Sequence, residues 1–187
     1  LSSGATSNDG TPTLTFSAEA GSTVKVYDGT NLLGTATEGP AGTFTFTPTT
    51  ALADGAHSLT ATATDPAGNT SAATTAFALT IDTAAPGISL NTVVDDVPGI
   101  TGNLSSGAVS NDNKPTLTFT AEAGSTVTVY DTVNGVTTLL GTATEGPTGT
   151  FTFTPLGALA SGMHSLTATA TDPAGNTSAP TNAFTLT

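Results

Sequence analysis

Apolar residues along this chain recur at every second position, in runs too short for anything but strands. In Thr116-Leu117-Thr118-Phe119-Thr120-Ala121, Leu and Phe fall on one face and Thr on the other. Thr150-Phe151-Thr152-Phe153-Thr154 and Ser165-Leu166-Thr167-Ala168-Thr169-Ala170-Thr171 repeat the alternation. A period of two is that of a half-buried strand, not of a helix. Val127 and Val129 mark another strand, Leu139-Leu140 a short one, and Phe184 and Leu186 the last. Turns rich in Gly and Pro separate them, at Glu122-Ala123-Gly124-Ser125, Glu145-Gly146-Pro147-Thr148-Gly149 and Asp172-Pro173-Ala174-Gly175-Asn176. With Ile88–Val94 added, the pattern predicts strands over 88–94, 116–121, 126–130, 138–144, 150–154, 165–171 and 183–187, and no helix.

The pattern occurs twice. Residues 1–28 match 104–131 at 23 of 28 positions, and 32–80 match 139–187 at 41 of 49; between these blocks the second copy carries four extra residues around Val133 to Thr137. The chain is a tandem array, with expected domains 1–82 and 83–187. Only the second copy is preceded by a strand such as 88–94, so the first is expected to be truncated at its N-terminal side, as a piece of a longer array would be. About seven short strands at regular spacing in about 100 residues predict an all-β fold: two immunoglobulin-like Greek-key β-sandwiches joined end to end. Without Cys or Trp, their cores must be built from Phe, Leu, Val and Ala.

Composition narrows the chemistry. Two Lys and no Arg stand against 14 Asp and Glu, a formal net charge of −12. Such a chain cannot neutralise a run of phosphates, which excludes nucleic acid and anionic membrane surfaces as partners. No apolar run approaches the ~20 residues of a membrane span. Without thiols there are no disulfides and no zinc–sulfur sites. The 44 Thr supply uncharged β-branched residues for wet strand faces; an ice-binding array would need a flat sheet, and sandwiches twist.

Thr-Ala-Thr-Asp-Pro-Ala-Gly-Asn-Thr-Ser at 62–71 and 169–178 resembles the closing segment of bacterial immunoglobulin-like repeats. Val-Asp-Asp-Val-Pro-Gly-Ile-Thr-Gly at 94–102, followed by Asn-Asp-Asn-Lys-Pro-Thr-Leu at 111–117, resembles their opening segment. Such repeats fill the central region of biofilm-associated proteins and related giant, type I-secreted (RTX) surface adhesins of Gram-negative bacteria. The resemblance covers essentially the whole chain. It implies an extracellular location on the bacterial surface, a spacer role and calcium between domains.

The placement of the acids bears on that calcium independently. If successive strands alternate in direction, the turns at 122–125, 145–149 and 172–176 gather at one end of the second domain, facing the linker 81–86. Asn8 and Asp9 then lie at the end of the first domain beside the same linker, while Asp95, Asp96, Asn111 and Asp112 gather at the far end of the second. Crowded carboxylates repel, and a divalent ion relieves them; calcium takes six to eight oxygens of the kinds these loops offer. The expected junction ligands are Asp9, Asp82, Glu122 and Asp172, with Asp65 and Glu19 as first-copy counterparts of the last two, and the far set is Asp95, Asp96 and Asp112. Asp and Asn also form turns on local grounds, so Asp65/Asn69 and Asp172/Asn176 admit a purely structural role as well. No EF-hand spacing is present.

Other features carry less. Glu38 and Glu145 are expected to be solvated, and Asp28, Asp131 and Asp54 to be turn residues. His57 and His164 occupy one repeated position and are expected to pack or turn, with no second His or acid placed in sequence to make a metal pair with either. Tyr27 and Tyr130 are expected as half-buried edge aromatics. No nucleophile elbow is present and no enzyme is expected. The sequence therefore points to monomeric, calcium-rigidified extender repeats of a surface adhesin, with neighbouring repeats of the same chain as partners. The alternative is a ligand-binding module, or a homophilic one that pairs with repeats on other cells.

Overall fold

A computed structural model describes residues 1–187 and divides them into two compact units, Leu1–Ala84 and Ala85–Thr187. The division lies two residues past the expected boundary because the segment after Ile81 is bonded to the first unit. Asp82 N–H donates to the Ser7 carbonyl, and Thr83 donates through its N–H and hydroxyl to Asp54.

The second unit shows the repeat in full. Its strands are β9 (Ile88–Asp95), β10 (Gly102–Asn103), β11 (Thr116–Ala121), β12 (Thr126–Val133), β13 (Val136–Thr142), β14 (Thr144–Glu145), β15 (Thr150–Phe153), β16 (His164–Thr171) and β17 (Phe184–Leu186). They form two sheets, ordered β10-β9-β11-β15-β14 and β13-β12-β16-β17. Alternation does what the pattern predicts: Leu117, Phe119, Phe151 and Phe153 point in from one sheet, and Val127, Val129, Leu166, Ala168 and Ala170 from the other. Thr residues line the outer faces, where hydroxyl pairs such as Thr116–Thr154 (2.9 Å) and Thr171–Thr177 (2.9 Å) tie neighbouring strands and turns. The expected single strand 138–144 is two strands in different sheets. The chain leaves β12 and crosses at Ala143, whose N–H still reaches the Val127 carbonyl, to pair with β15 as β14.

The first unit carries β1 (Ala5–Ser7), β2 (Leu14–Ser17), β3 (Thr23–Asp28), β4 (Asn31–Thr35), β5 (Thr37–Glu38), β6 (Thr43–Phe46), β7 (Gly55–Thr64) and β8 (Phe77–Ile81). One sheet is ordered β1-β8-β7-β3-β4 and the other β2-β6-β5. The β1–β8 pairing is parallel, a feature that alternation alone did not suggest; in the second unit it shrinks to a single Ala108–Leu186 bridge. No counterpart of β9 flanks β2, so that the smaller sheet has three strands where its counterpart has five. The core divides accordingly. The second unit has one cluster, joined by Val93 at 0% exposure, whereas the first has two, around Phe44 and around Leu79. No helix in the structure is long and apolar enough to cross a membrane.

Candidate functional site

The acids at the far end of the second unit converge in part. Asp95 closes β9 with 0% exposure, because the following Val97 N–H turns back onto its Oδ1 (2.9 Å) and Ser110 Oγ donates to its Oδ2 (2.6 Å). The same Ser110 oxygen accepts the N–H of Asp112 (3.0 Å). Asp112 Oδ1 accepts the Lys114 N–H (2.8 Å), while its Oδ2 is buried with no hydrogen-bond partner. One hydroxyl therefore joins the Asp95 carboxylate to the backbone of Asp112, and one oxygen of the buried Asp112 carboxylate is orphaned. An orphaned buried carboxylate oxygen is costly, and a bound cation is one way to satisfy it. Asp96, the third expected member, is exposed. Nowhere do three His, Asp or Glu side chains come close enough to hold an ion. Any ion here would need backbone carbonyls, the Asn111 or Asn113 side chain, or water for most of its shell, which calcium accepts. Ser110, Asn111, Asp112 and Asn113, with His164 and Thr187, line an open cleft of about 380 Å³.

The residues expected at the junction are described within their own units. Asp9 forms a local turn, its Oδ1 accepting from Thr11 N–H and Oγ1. Asp82 accepts the Ala84 N–H (3.1 Å). Glu19 and Glu122 are exposed at turn positions, where their carbonyls accept the Ser22 and Ser125 N–H groups. Asp65 and Asp172 are the keystones of their Asp-Pro-Ala-Gly-Asn turns. Asp172 Oδ1 accepts from Gly175 and Asn176 N–H, and its Oδ2 from Asn176 Nδ2 (2.8 Å); Asp65 is bonded in the same way to Asn69. Burial works against the charge of Asp172, but the bonds from Asn176 and the turn amides outweigh it and hold the carboxyl below its ordinary value. For Asp65 the Asn69 side chain is the main cause of the same shift. These bonds explain both turns without an ion.

Three expectations need correction. Glu38 and Glu145 are not merely solvated: Glu145 accepts Gly124 N–H (3.1 Å) on one oxygen and Gly149 N–H (2.7 Å) on the other, stapling two turns, and Glu38 does the same for Gly21 and Gly42. The shared spacing Glu-Gly-Pro-x-Gly, which brings the second amide back within four residues, was the available signal. Asp131 is not a turn residue but lies inside β12 at 4% exposure, and Asp28 closes β3. Finally, His57 and His164 each meet an acid remote in sequence. His164 Nδ1 lies 2.7 Å from Asp131 Oδ2 and its Nε2 lies 2.7 Å from the Ala160 carbonyl; His57 repeats both contacts with Asp28 and Ala53. A carbonyl only accepts, so Nε2 must donate; with an ionised carboxylate at Nδ1, both nitrogens donate and the ring is a cation. Burial opposes the charge on each ring. The Ala53 carbonyl and Asp28 at His57, and Asp131 and the Ala160 carbonyl at His164, overcome it and raise the histidine above its ordinary value. Asp54, expected in a turn, accepts the two Thr83 bonds. Tyr27 and Tyr130 are half-buried, as expected.

Residues 2–83 and 88–187 each match the family described as bacterial Ig-like domain. Exoglucanase B of Cellulomonas fimi is 35% identical over 166 residues, which are 87% of this chain but only 13% of that protein's length. Among solved structures, the fibronectin(III)-like modules of Clostridium thermocellum CbhA align over 99% of this chain and 89% of that one, at 20% identity and a TM-score of 0.49. A tetra-tandem repeat from the extending region of a large adhesion protein aligns over 98% and 48%, at 22% identity and a TM-score of 0.37. A domain of a biofilm-associated protein aligns over 99% and 28%, at 24% identity and a TM-score of 0.37.

Proposed function

As the chain belongs over nearly its whole length to the bacterial Ig-like domain family, we propose that it acts as an extender: tandem sandwiches that hold a distal adhesive domain of a large surface adhesin away from the cell and so support adhesion and biofilm formation. The observation that carries this reading is the near-identity of the copies, at 64 of 77 aligned positions. A module selected for one ligand needs only one good copy, whereas a spacer gains length from each. The adhesin setting and the extracellular location come from the resemblance of the opening and closing segments.

Calcium is the second element of the proposal. In the second unit it would be held by Asp95 and Asp112, with carbonyl and water oxygens completing the shell; the orphaned Asp112 Oδ2 supports this. The ion would neutralise two carboxylates that Lys114 does not reach, since Lys114 Nζ is bonded to the Leu156 carbonyl. Asp9, Asp82, Glu122 and Asp172 would act at the linker, where bound calcium would restrict bending. Extracellular modules work with affinities of about 10⁻⁴–10⁻³ M. Calcium at a hundredfold excess over its Kd should therefore stabilise the second unit by about 2.7 kcal/mol in calorimetry, and Asp112→Asn should remove the gain. Small-angle scattering in millimolar calcium and in chelator tests the mechanical part. Coincident pair-distance profiles would leave the linker acids as turn residues.

A homophilic module is the second reading, favoured by Val136 and Leu139, each 64% exposed on the uncharged outer strand β13. It requires the chain to self-associate with rising concentration, which light scattering reads directly.

A further inference from the structure

The two sheets of the second unit end in four edge strands, and only one of these is long. β10 and β14 have two residues each and β17 has three, whereas β13 has seven. From Val136 to Thr142 it carries no charge and no Pro, and Val136 and Leu139 are each 64% exposed. Edge strands are kept from pairing with other chains by shortness, by charge or by Pro. β13 has none of the three.

The corresponding edge of the first unit is better guarded. There β4 has five residues and begins at Asn31, where the second unit has Thr138; Asn is a poor strand residue and Thr a good one. Exposed Lys25 stands on β3 opposite Thr35 of β4, and its place opposite Thr142 is taken by uncharged Thr128 in the second unit. The four extra residues lengthen the hairpin further. All three differences open the same edge.

The hairpin also fixes which backbone groups are free. Its turn, Asn134-Gly135, has two residues at positive φ (52° and 80°) and closes on the pair Val133–Val136. Hydrogen bonds to β12 therefore fall on Val136 and Thr138, and the N–H and C=O groups of Thr137 and Leu139 point away from β12. The register is regular over 136–139 and shifts only beyond Leu139, which stands opposite Tyr130 on the outer face.

We propose that β13 is a self-pairing edge, on which β13 of a second copy of this chain docks antiparallel about a two-fold axis at Thr138. Thr137 of each copy then exchanges both main-chain hydrogen bonds with Leu139 of the other. The two Leu139 side chains become diagonal neighbours on the outer face, within reach of each other. Such an isologous contact needs no second surface. Charge favours this occupant: the chain carries −12, and this edge lets two copies meet without an acid on either strand. One such contact is far smaller than the roughly 1,200–2,000 Å² of a stable interface, so a single pair forms only at high protein concentration. Antiparallel pairing sets the two units in opposite directions, as suits chains extending from facing cells. The inference rests on the homophilic reading above and gives it a strand, a register and a unit.

Sedimentation of the whole chain from about 10 μM to about 1 mM tests it. A reversible dimer is expected. Thr137→Pro removes an N–H that only the second copy uses, and Leu139→Lys places two like charges across the axis. Each should raise the dimer Kd at least about tenfold, while the dilute chain keeps its second-unit melting transition. Leu32→Lys, the same change on β4, should leave the Kd unaltered. Thr138→Cys gives the chain its single thiol at the axis, where the Cα atoms of a non-hydrogen-bonded pair lie about 4.5 Å apart, within disulfide reach. That variant should cross-link on oxidation, and Asn31→Cys should not. If the chain dimerises but the β13 variants leave Kd unchanged, or if Asn31→Cys cross-links as readily, the edge proposal falls while the homophilic reading survives at another surface. If the unmodified chain stays monomeric throughout and Thr138→Cys does not cross-link, both fall.

Discussion

The two copies carry the same His–Asp pair in different surroundings. His57 and Asp28 have side chains 10% and 23% exposed, whereas those of His164 and Asp131 are 6% and 6%. Both pairs are 2.7 Å long and tie the start of one strand to the strand beside it. The difference is hairpin length. In the first unit β3 ends at Asp28 and the chain turns at once, leaving Asp28 Oδ1 to accept the Ser58 N–H. In the second unit the four extra residues let β12 run on to Val133 and pair back through Val136–Thr138, which covers Asp131 and leaves its Oδ1 buried without a partner. Identical residues thus form a half-wet clasp in one place and a dry one in the other. The dielectric around a charge pair is set by what its neighbours cover.

That comparison is broken most sharply by removing one partner. Asp131→Asn strands the His164 imidazolium, or leaves a neutral ring whose Nδ1 can only accept from the Asn amide, and breaking a buried ion pair costs about 3–5 kcal/mol. Asp28→Asn, at the wetter pair, should cost about 1–2 kcal/mol, because water reaches the exposed side of the clasp. Calorimetry of the two chains would show the second-unit transition falling further than the first. Equal losses would mean that hairpin length does not control the pair.

A pH series sharpens the same contrast more gently. The folded histidines lie above their ordinary value of 6.5. Their contribution is therefore complete below 6.5 and is lost as pH climbs through the raised folded values. Asp28 lies below its ordinary 3.8: burial opposes the shift, and the bonds from His57 and Ser58 more than offset it. Its contribution is present above 3.8 and is lost as pH falls through the lower folded value. Stability should plateau between these limits and decline on the alkaline side. His57→Gln and His164→Gln should each flatten that decline in its own unit, read as the slope of melting temperature against pH.

Much of this fold was legible in the chain because alternation is a local signal. Leu117, Phe119, Phe151 and Phe153 announce their faces within five or six residues. The crossing at Ala143 was not legible, because whether one strand stays in a sheet or changes sheets depends on the partner across it. The clasp was hidden for a related reason: Asp131 and His164 are 33 positions apart, and only the β12–β16 register brings them together. The repeat did contain a hint, since Asp28 and His57 recur together while Lys25, Asp54 and Ala56 change to Thr128, Ser161 and Met163. At the far end of the second unit the expected trio was legible as a cluster of acids. Burial then separated Asp95 and Asp112 from the exposed Asp96, and that depends on how Ser110 is placed.

The smallest expected effect concerns a feature that the copies share almost unchanged. Glu38 and Glu145 each bridge two glycine amides, at 3.1 and 2.9 Å in the first unit and 3.1 and 2.7 Å in the second. The glycines Gly42 and Gly149 cannot be exchanged freely, because both adopt positive φ (79° and 74°) and a Cβ would lie 2.9 and 3.0 Å from the carbonyls of Ala18 and Ala121. The carboxylate therefore meets an amide whose position the turn has already fixed, and little ordering is needed to form the bond. Glu→Gln keeps one acceptor oxygen and loses the charge, so each substitution should cost about 1 kcal/mol, near the net worth of one hydrogen bond. Solvent reaches both staples, and neither lies beside the extended hairpin, so Glu38→Gln and Glu145→Gln should lower their own transitions equally. Unequal losses would show that the turns carrying Gly21 and Gly42 hold their amides less firmly than those carrying Gly124 and Gly149.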